Sequence, residues 1–204
     1  MNEPIHEWSS QDIVAGELCL DFTNTVGDRS KTRDVEWLPE WDTLIKWAVA
    51  VDALDKEEAQ YLRKAGKRDP AAAAQSLQTL RTFRSMLFRI VSAIAAGHAP
   101  PQEDLERMEV VMRGALRAAH LSRQGQTYRW TVRSSDVSMK TPLARIALST
   151  LQLLQSNDLA RLRECQRCSW LFLDRSKSRR RRWCRAAACG NRARVARHYA
   201  ARAT

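Results

Sequence analysis

Cys165-Gln-Arg-Cys168 and, after a run of cations, Cys184-Arg-Ala-Ala-Ala-Cys189-Gly190-Asn191-Arg192 decide how this 204-residue chain is read. Four of its five cysteines stand there in two close pairs. Thiolates hold zinc tetrahedrally, and two residues between a pair let one tight turn present both sulfurs to one ion. Cys165 and Cys168 have that spacing. The four-residue gap between Cys184 and Cys189 suits one ligand at a strand end and the other in the first turn of a helix. Four thiolates close the coordination sphere, so the expectation is one structural Zn2+ held by Cys165, Cys168, Cys184 and Cys189, with no position left for a catalytic water.

The intervening sequence supports a small fold around that ion. Trp170-Leu-Phe-Leu-Asp174 reads as a short strand, Arg175-Ser-Lys-Ser178 as a turn, and residues 179–184 as a returning strand. After Cys189 the residues to Arg202 favour helix. Knuckle, hairpin and helix together make a treble-clef-like finger, too short to be stable without its metal. His198 lies about two and a half turns beyond Cys189, too far along a helix to join the same ion.

Charge is concentrated in the same stretch. Residues 161–204 carry 14 Arg and Lys against 2 acids, out of 34 and 23 in the whole chain. The tail is therefore +12 and the first 160 residues −1. Such a tail repels itself unless a polyanion relieves it, which makes nucleic acid the expected partner. The candidate contacts are Arg179, Arg180, Arg181 and Arg182 between the cysteine pairs, and Arg192, Arg194 and Arg197 on the last helix, whose Val195, Ala196 and Tyr199 are expected to pack down. Asn191 and Arg192 directly follow a ligand, so base contact and bracing of the zinc site both stay open. RNA binding, or a docking surface stiffened by zinc, would use the same features. A finger this small rarely buries enough surface for high specificity, so a homodimer or a second contact is expected.

Working back towards the N-terminus, residues 1–160 read as a mainly α body with one small β-hairpin, and 161–204 as the finger. Residues 1–15 look like a loose lead-in. Leu18, Phe22 and Val26 recur every four residues as a helix face, and Gly27 to Glu36 reads as a charged loop. A helix after Pro39 carries Leu44, Trp47, Ala48 and Val51, and a shorter one opens at Asp55. Asp69-Pro70 starts a long helix that stops at Gly97, and another begins near Pro101. Gln126 to Arg133 alternates with period two and reads as a strand, with Leu116 to Leu121 as its partner. Thr141-Pro142 starts the last helix of the body. Cys19, alone among apolar residues, is expected in the core.

Asp21, Asn24, Thr25 and Arg29 could line a polar pocket for a small ligand, or form a buried network tying the first helix to its loop. The body shows no nucleophile elbow, phosphate loop or paired metal-ligating histidines, so no enzymatic activity is expected. With no export signal and no apolar run of membrane-spanning length, a cytoplasmic protein is expected, where paired cysteines favour metal over disulfide.

These residues carry a resemblance. Cys-x2-Cys, the strand Trp170-Leu-Phe-Leu-Asp174, Arg-Arg-Trp183-Cys184 and Cys189-Gly190-Asn191-Arg192 resemble the CGNR zinc finger family. Leu-Cys-Leu-Asp21-Phe-Thr-Asn24-Thr25, followed by Arg29, is similar to the start of the ABATE domain that accompanies this finger. The resemblance implies a bacterial, stress-responsive transcription regulator whose finger binds DNA. In the family pattern Ser-Met follows the third cysteine. Arg185-Ala186 stands there in this chain, a difference that leaves zinc ligation untouched.

Overall fold

A computed structural model describes residues 6–27 and 31–202. The chain is mainly helical, with small antiparallel hairpins and a C-terminal finger. Its axis is α4 (Pro70–Ala95). Asp69 caps it by accepting from the Ala72 N–H at 3.0 Å, and Pro70 sits where the missing N–H costs nothing. Leu77, Leu80, Phe83, Leu87, Ile90 and Val91 recur at three- and four-residue steps and are all buried. Against this stripe pack α1 (Leu18–Thr23), α2 (Trp41–Ala50), α3 (Lys56–Arg68) and α5 (Gln102–Arg117), and α6 (Thr141–Leu154) closes over α1 and α5. Cys19 is fully buried, and burial pushes its thiol up to about 12. Among the described residues no helix is long and apolar enough to cross a membrane.

Where the expected elements differ, the causes are local. The first helix ends at Thr23 because the Thr23 and Thr25 hydroxyls take the Leu20 and Phe22 carbonyls, each at 2.7 Å. The expected loop from Gly27 to Glu36 begins and ends in a two-residue ladder, β1 (Val26–Gly27) against β2 (Val35–Glu36). A Cβ at Gly27 would lie 2.6 Å from the Trp37 indole nitrogen, so only glycine lets the strands approach there. The helix α5 runs on to Arg117, and the hairpin is β3 (His120–Gln124) against β4 (Thr127–Thr131), turning at Gly125 with φ +63°. Its strands therefore start later than the periodicity indicates.

Residues 6–15 are not a loose lead-in. His6 stacks on Trp37 with ring centroids 3.9 Å apart, Trp8 meets both rings edge-on, and Val14 packs against the finger. The backbone N–H groups of Val14 and Ala15 both donate to Asp21 Oδ1 at 3.0 Å. This strap passes between body and finger and belongs to both.

Two short strands join the finger to the body, β5 (Leu162–Glu164) and β6 (Leu171–Leu173). Leu162, Leu171 and Leu173 are part of the same buried core as α1, α4 and α6. Cys165, Cys168, Trp170, Phe172, Cys184 and Cys189 form a second, smaller cluster beyond it. Successive residues of β6 thus point into the two cores alternately, as a strand's pleat requires.

Candidate metal centre

The knuckle hangs from the β5–β6 hairpin. Register pairs Leu162 with Leu173 and Glu164 with Leu171, and the Cys165 N–H donates to the Trp170 carbonyl at 2.8 Å. Both sulfurs of the first pair are thereby presented on one side of a tight turn. Ala186–Gly190 is a single wide turn carrying Cys189, and it feeds directly into α7 (Asn191–Ala200). Cys184 arrives from the loop before it.

All four sulfurs lie within 4.8 Å of one another, and all four residues are buried. Cys168, Cys184 and Cys189 have Sγ–Sγ separations of 3.6–3.7 Å. A tetrahedral zinc with bonds of about 2.3 Å sets sulfurs about 3.8 Å apart, whereas a disulfide needs about 2.05 Å. The donor set therefore fits one structural zinc and not a disulfide pair. Hydrophobic walls from Trp170, Phe172 and Trp183 surround it.

The second strand of the expected hairpin does not form. Strand β6 pairs back across the knuckle with β5, and its other edge is already taken. Ala15 O accepts the Leu173 N–H at 2.9 Å, and the Asn24 side chain pairs with both backbone groups of Leu171. Residues 174–185 instead wind around a buried carboxylate. Asp174 accepts from the Ser176 N–H and hydroxyl and from the Arg181 N–H. Burial alone would raise that carboxyl, but these donors outweigh it and hold it below the usual carboxylate range. Arg179 takes φ +51°, which no strand residue adopts.

Arg181 turns inward. Its guanidinium lies 4.3 Å over the Phe172 ring and donates to the carbonyls of Trp183 and Cys184. Arg192, the second residue of α7, donates to Cys189 Sγ at 3.1 Å, and its charge is favoured there by that sulfur. Gly190 sits under Trp183, where a Cβ would be 3.4 Å from the ring. In the run Cys189-Gly190-Asn191-Arg192, then, the first residue offers a ligand atom, the second makes room for an indole and the fourth steadies the ligand sulfur. Asn191 is exposed at the start of the helix.

Comparison with known families agrees with this geometry. Residues 16–157 match the ABATE model, described as "Putative stress-induced transcription regulator". This chain belongs to the ABATE family. Residues 161–202 match the CGNR zinc finger. No curated protein matches the chain. In this ABATE chain the four cysteines are positioned to hold one metal ion, as a CGNR finger requires.

The remaining candidates separate into two groups. Arg179, Arg180, Arg194 and Arg197 are exposed and make no ion pair among the described residues. Arg182 is exposed too, bonded to Gln166 at 2.6 Å. Helix α7 buries none of its residues. Val195 and Tyr199, expected to pack down, are 46% and 68% exposed.

Asp21, Asn24 and Thr25 are buried, and each holds a neighbouring segment. Asp21 holds the strap, Asn24 holds β6, and Thr25 Oγ1 accepts from buried Arg84 at 2.8 Å. Burial pushes the Asp21 carboxyl up to about 6, against the two N–H donors. They form a buried hydrogen-bond network; Arg29 lies outside the described residues. Arg33 ties the knuckle to the body: its guanidinium bonds Ser169 Oγ in the knuckle and the Thr23 carbonyl while lying 3.8 Å over Phe88. Arg185 is placed over Trp170 and reaches Gln11 on the strap, and it carries no period or motif that could have marked it.

Proposed function

We propose that this chain is a DNA-binding transcription regulator whose finger grips the phosphate backbone through α7 and the loop before Cys184. One observation carries the reading. Helix α7 buries none of its residues; Arg194, Arg197 and, just past its end, Arg202 are in solvent, and the chain has no acid after Asp174. A solvated cationic helix with no carboxylate to balance it matches the charge spacing of a polyanion. The family description supports the regulatory role.

Arg179, Arg180, Arg182, Arg194 and Arg197 are assigned to DNA, whereas Arg181 and Arg192 serve the finger itself. The closed four-sulfur site supports a structural rather than a catalytic metal, and we assign the chain no enzymatic step. Any small ligand binds elsewhere than at Asp21, Asn24 and Thr25, whose side chains already hold the strap, β6 and Arg84. The test is duplex DNA affinity as a function of salt. Replacing Arg179, Arg180, Arg194 and Arg197 by Ala should lower the slope of log K against log salt by roughly 0.9 for each phosphate no longer neutralised. An unchanged slope would sink the assignment, and tighter binding to structured RNA at equal salt would favour RNA as the partner.

A further inference from the structure

The body carries a second cationic element that its near-zero net charge conceals. Between Arg117 and Arg133 the chain has four arginines and no acid. The β3–β4 hairpin occupies this stretch, and cross-strand register puts Leu121 opposite Trp130 and Arg123 opposite Tyr128. These four therefore share one face. Leu121, Tyr128 and Trp130 are 54%, 64% and 48% exposed, an unusual concentration of large apolar side chains in solvent. Arg129 projects from the other face and, like Arg123, makes no ion pair among the described residues.

Beside this face runs an open groove of about 960 Å³. One wall is Tyr128, Trp130 and Leu121. Along α6 and just past its end, the other side offers Ser149, Gln152, Gln155 and Ser156. Two carboxylates reach the groove. Glu17 is answered by Arg175 of the finger loop at 3.0 Å, and Asp52 lines the groove together with Arg145, which is itself paired with Glu58. The groove therefore passes from the hairpin to the foot of the finger loop.

We propose that the β3–β4 hairpin and this groove bind unpaired nucleotides of a single-stranded nucleic acid. Cations unanswered by carboxylates select a polyanion. Tyr128 and Trp130 supply stacking faces, and only a base freed from its duplex can stack on them. The amides of Gln152 and Gln155 suit base edges, whereas the Ser149 and Ser156 hydroxyls are already bonded to the Cys19 N–H and the Leu153 carbonyl. An acyl chain would leave those two amides buried without partners, which sets an anionic membrane surface aside. The partner class rests on the nucleic-acid reading of the finger, but the residues are separate.

Full-length zinc-loaded protein should be titrated, by fluorescence anisotropy at fixed salt, with a labelled oligothymidine and separately with duplex DNA. Tyr128→Ala and Trp130→Ala should each weaken oligothymidine binding by about 5- to 100-fold, the range of one base–aromatic stack, while changing duplex affinity less than about threefold. Trp130→Phe, which keeps a ring, should retain most of the binding and covers the case in which Trp130→Ala fails to fold. Arg129→Gln should lower the single-strand salt slope by about 0.7. Oligothymidine affinity unchanged in the two alanine variants and in Arg129→Gln overturns the proposal. So does loss of binding to phosphatidylserine vesicles in those variants with oligothymidine binding intact. Loss of duplex binding in the finger variants alone, with the single-strand result unchanged, supports two independent sites. Absent duplex binding in the unmodified protein would count against the finger reading and not against the hairpin.

Discussion

The side-chain amide of Asn24 pairs with both backbone groups of Leu171, its Nδ2 donating to the carbonyl and its Oδ1 accepting from the N–H, each at 2.9 Å. One side chain from α1's C-terminal cap thus serves as the missing neighbour strand of β6, 147 residues away. Because Leu171 is fully buried, neither backbone group has water as an alternative. Asn24→Ala should leave both unpaired at a cost of about 2–4 kcal/mol, lowering the melting temperature by several degrees. Zinc release to a chelator should speed up in parallel, since β6 holds one side of the knuckle. A melting temperature unchanged from the parent would refute the coupling.

Arg192 offers a separate prediction. Its hydrogen bond to Cys189 Sγ draws charge from the ligand sulfur, and removing partners of this kind costs roughly 10- to 100-fold in metal affinity. Arg192→Ala should show that loss in a zinc competition titration, and Arg192→Lys should recover only part of it, a single ammonium lacking the planar fork. Equal affinity in Arg192→Ala and the parent would return Arg192 to the DNA-facing set.

Two neighbouring arginines should behave oppositely. Arg181→Ala removes the guanidinium between Phe172 and the carbonyls of Trp183 and Cys184, so it should destabilise the finger by about 2 kcal/mol. Exposed Arg180→Ala should leave the melting curve within about 0.5 kcal/mol and change only the salt dependence of DNA binding. Thermal melts and binding isotherms on the same two preparations distinguish them.

Acid stability should have two arms of opposite sign. Burial raises the Asp21 carboxyl from 3.8 to about 6. Its contribution is therefore full below about 3.8 and is lost as pH rises through about 6, with a span on the order of 3 kcal/mol. Arg145 lowers Glu58 from 4.5 to about 2, so its contribution is present above about 4.5 and is lost as pH falls through about 2. In denaturant titrations across this range, Asp21→Asn should flatten the upper arm alone, and Glu58→Gln should make the lower arm shallower without touching the upper one, Asp174 and Asp104 keeping their share of it. Parallel curves for all three proteins would show that neither group titrates as its surroundings imply.

Much of this protein was legible along the chain. Asp69-Pro70 and the apolar steps from Leu77 to Val91 announce α4, and the cysteine spacing announces the metal site, because helix capping and thiolate ligation both act over a few residues. Tertiary structure decided which polar groups were already spent. Nothing in the local sequence distinguishes Arg181 from Arg180, or says that Asn24 faces a strand rather than a ligand; that depends on where Phe172 and Leu171 arrive in space. The pairing of β6 with β5 instead of with residues 179–184 was settled the same way. An edge can bond only one neighbour, and Asn24 and Ala15 reach it first. Charge changes sharply at residue 160, whereas packing does not, since net charge is a sum along the chain and burial depends on what lies across from it.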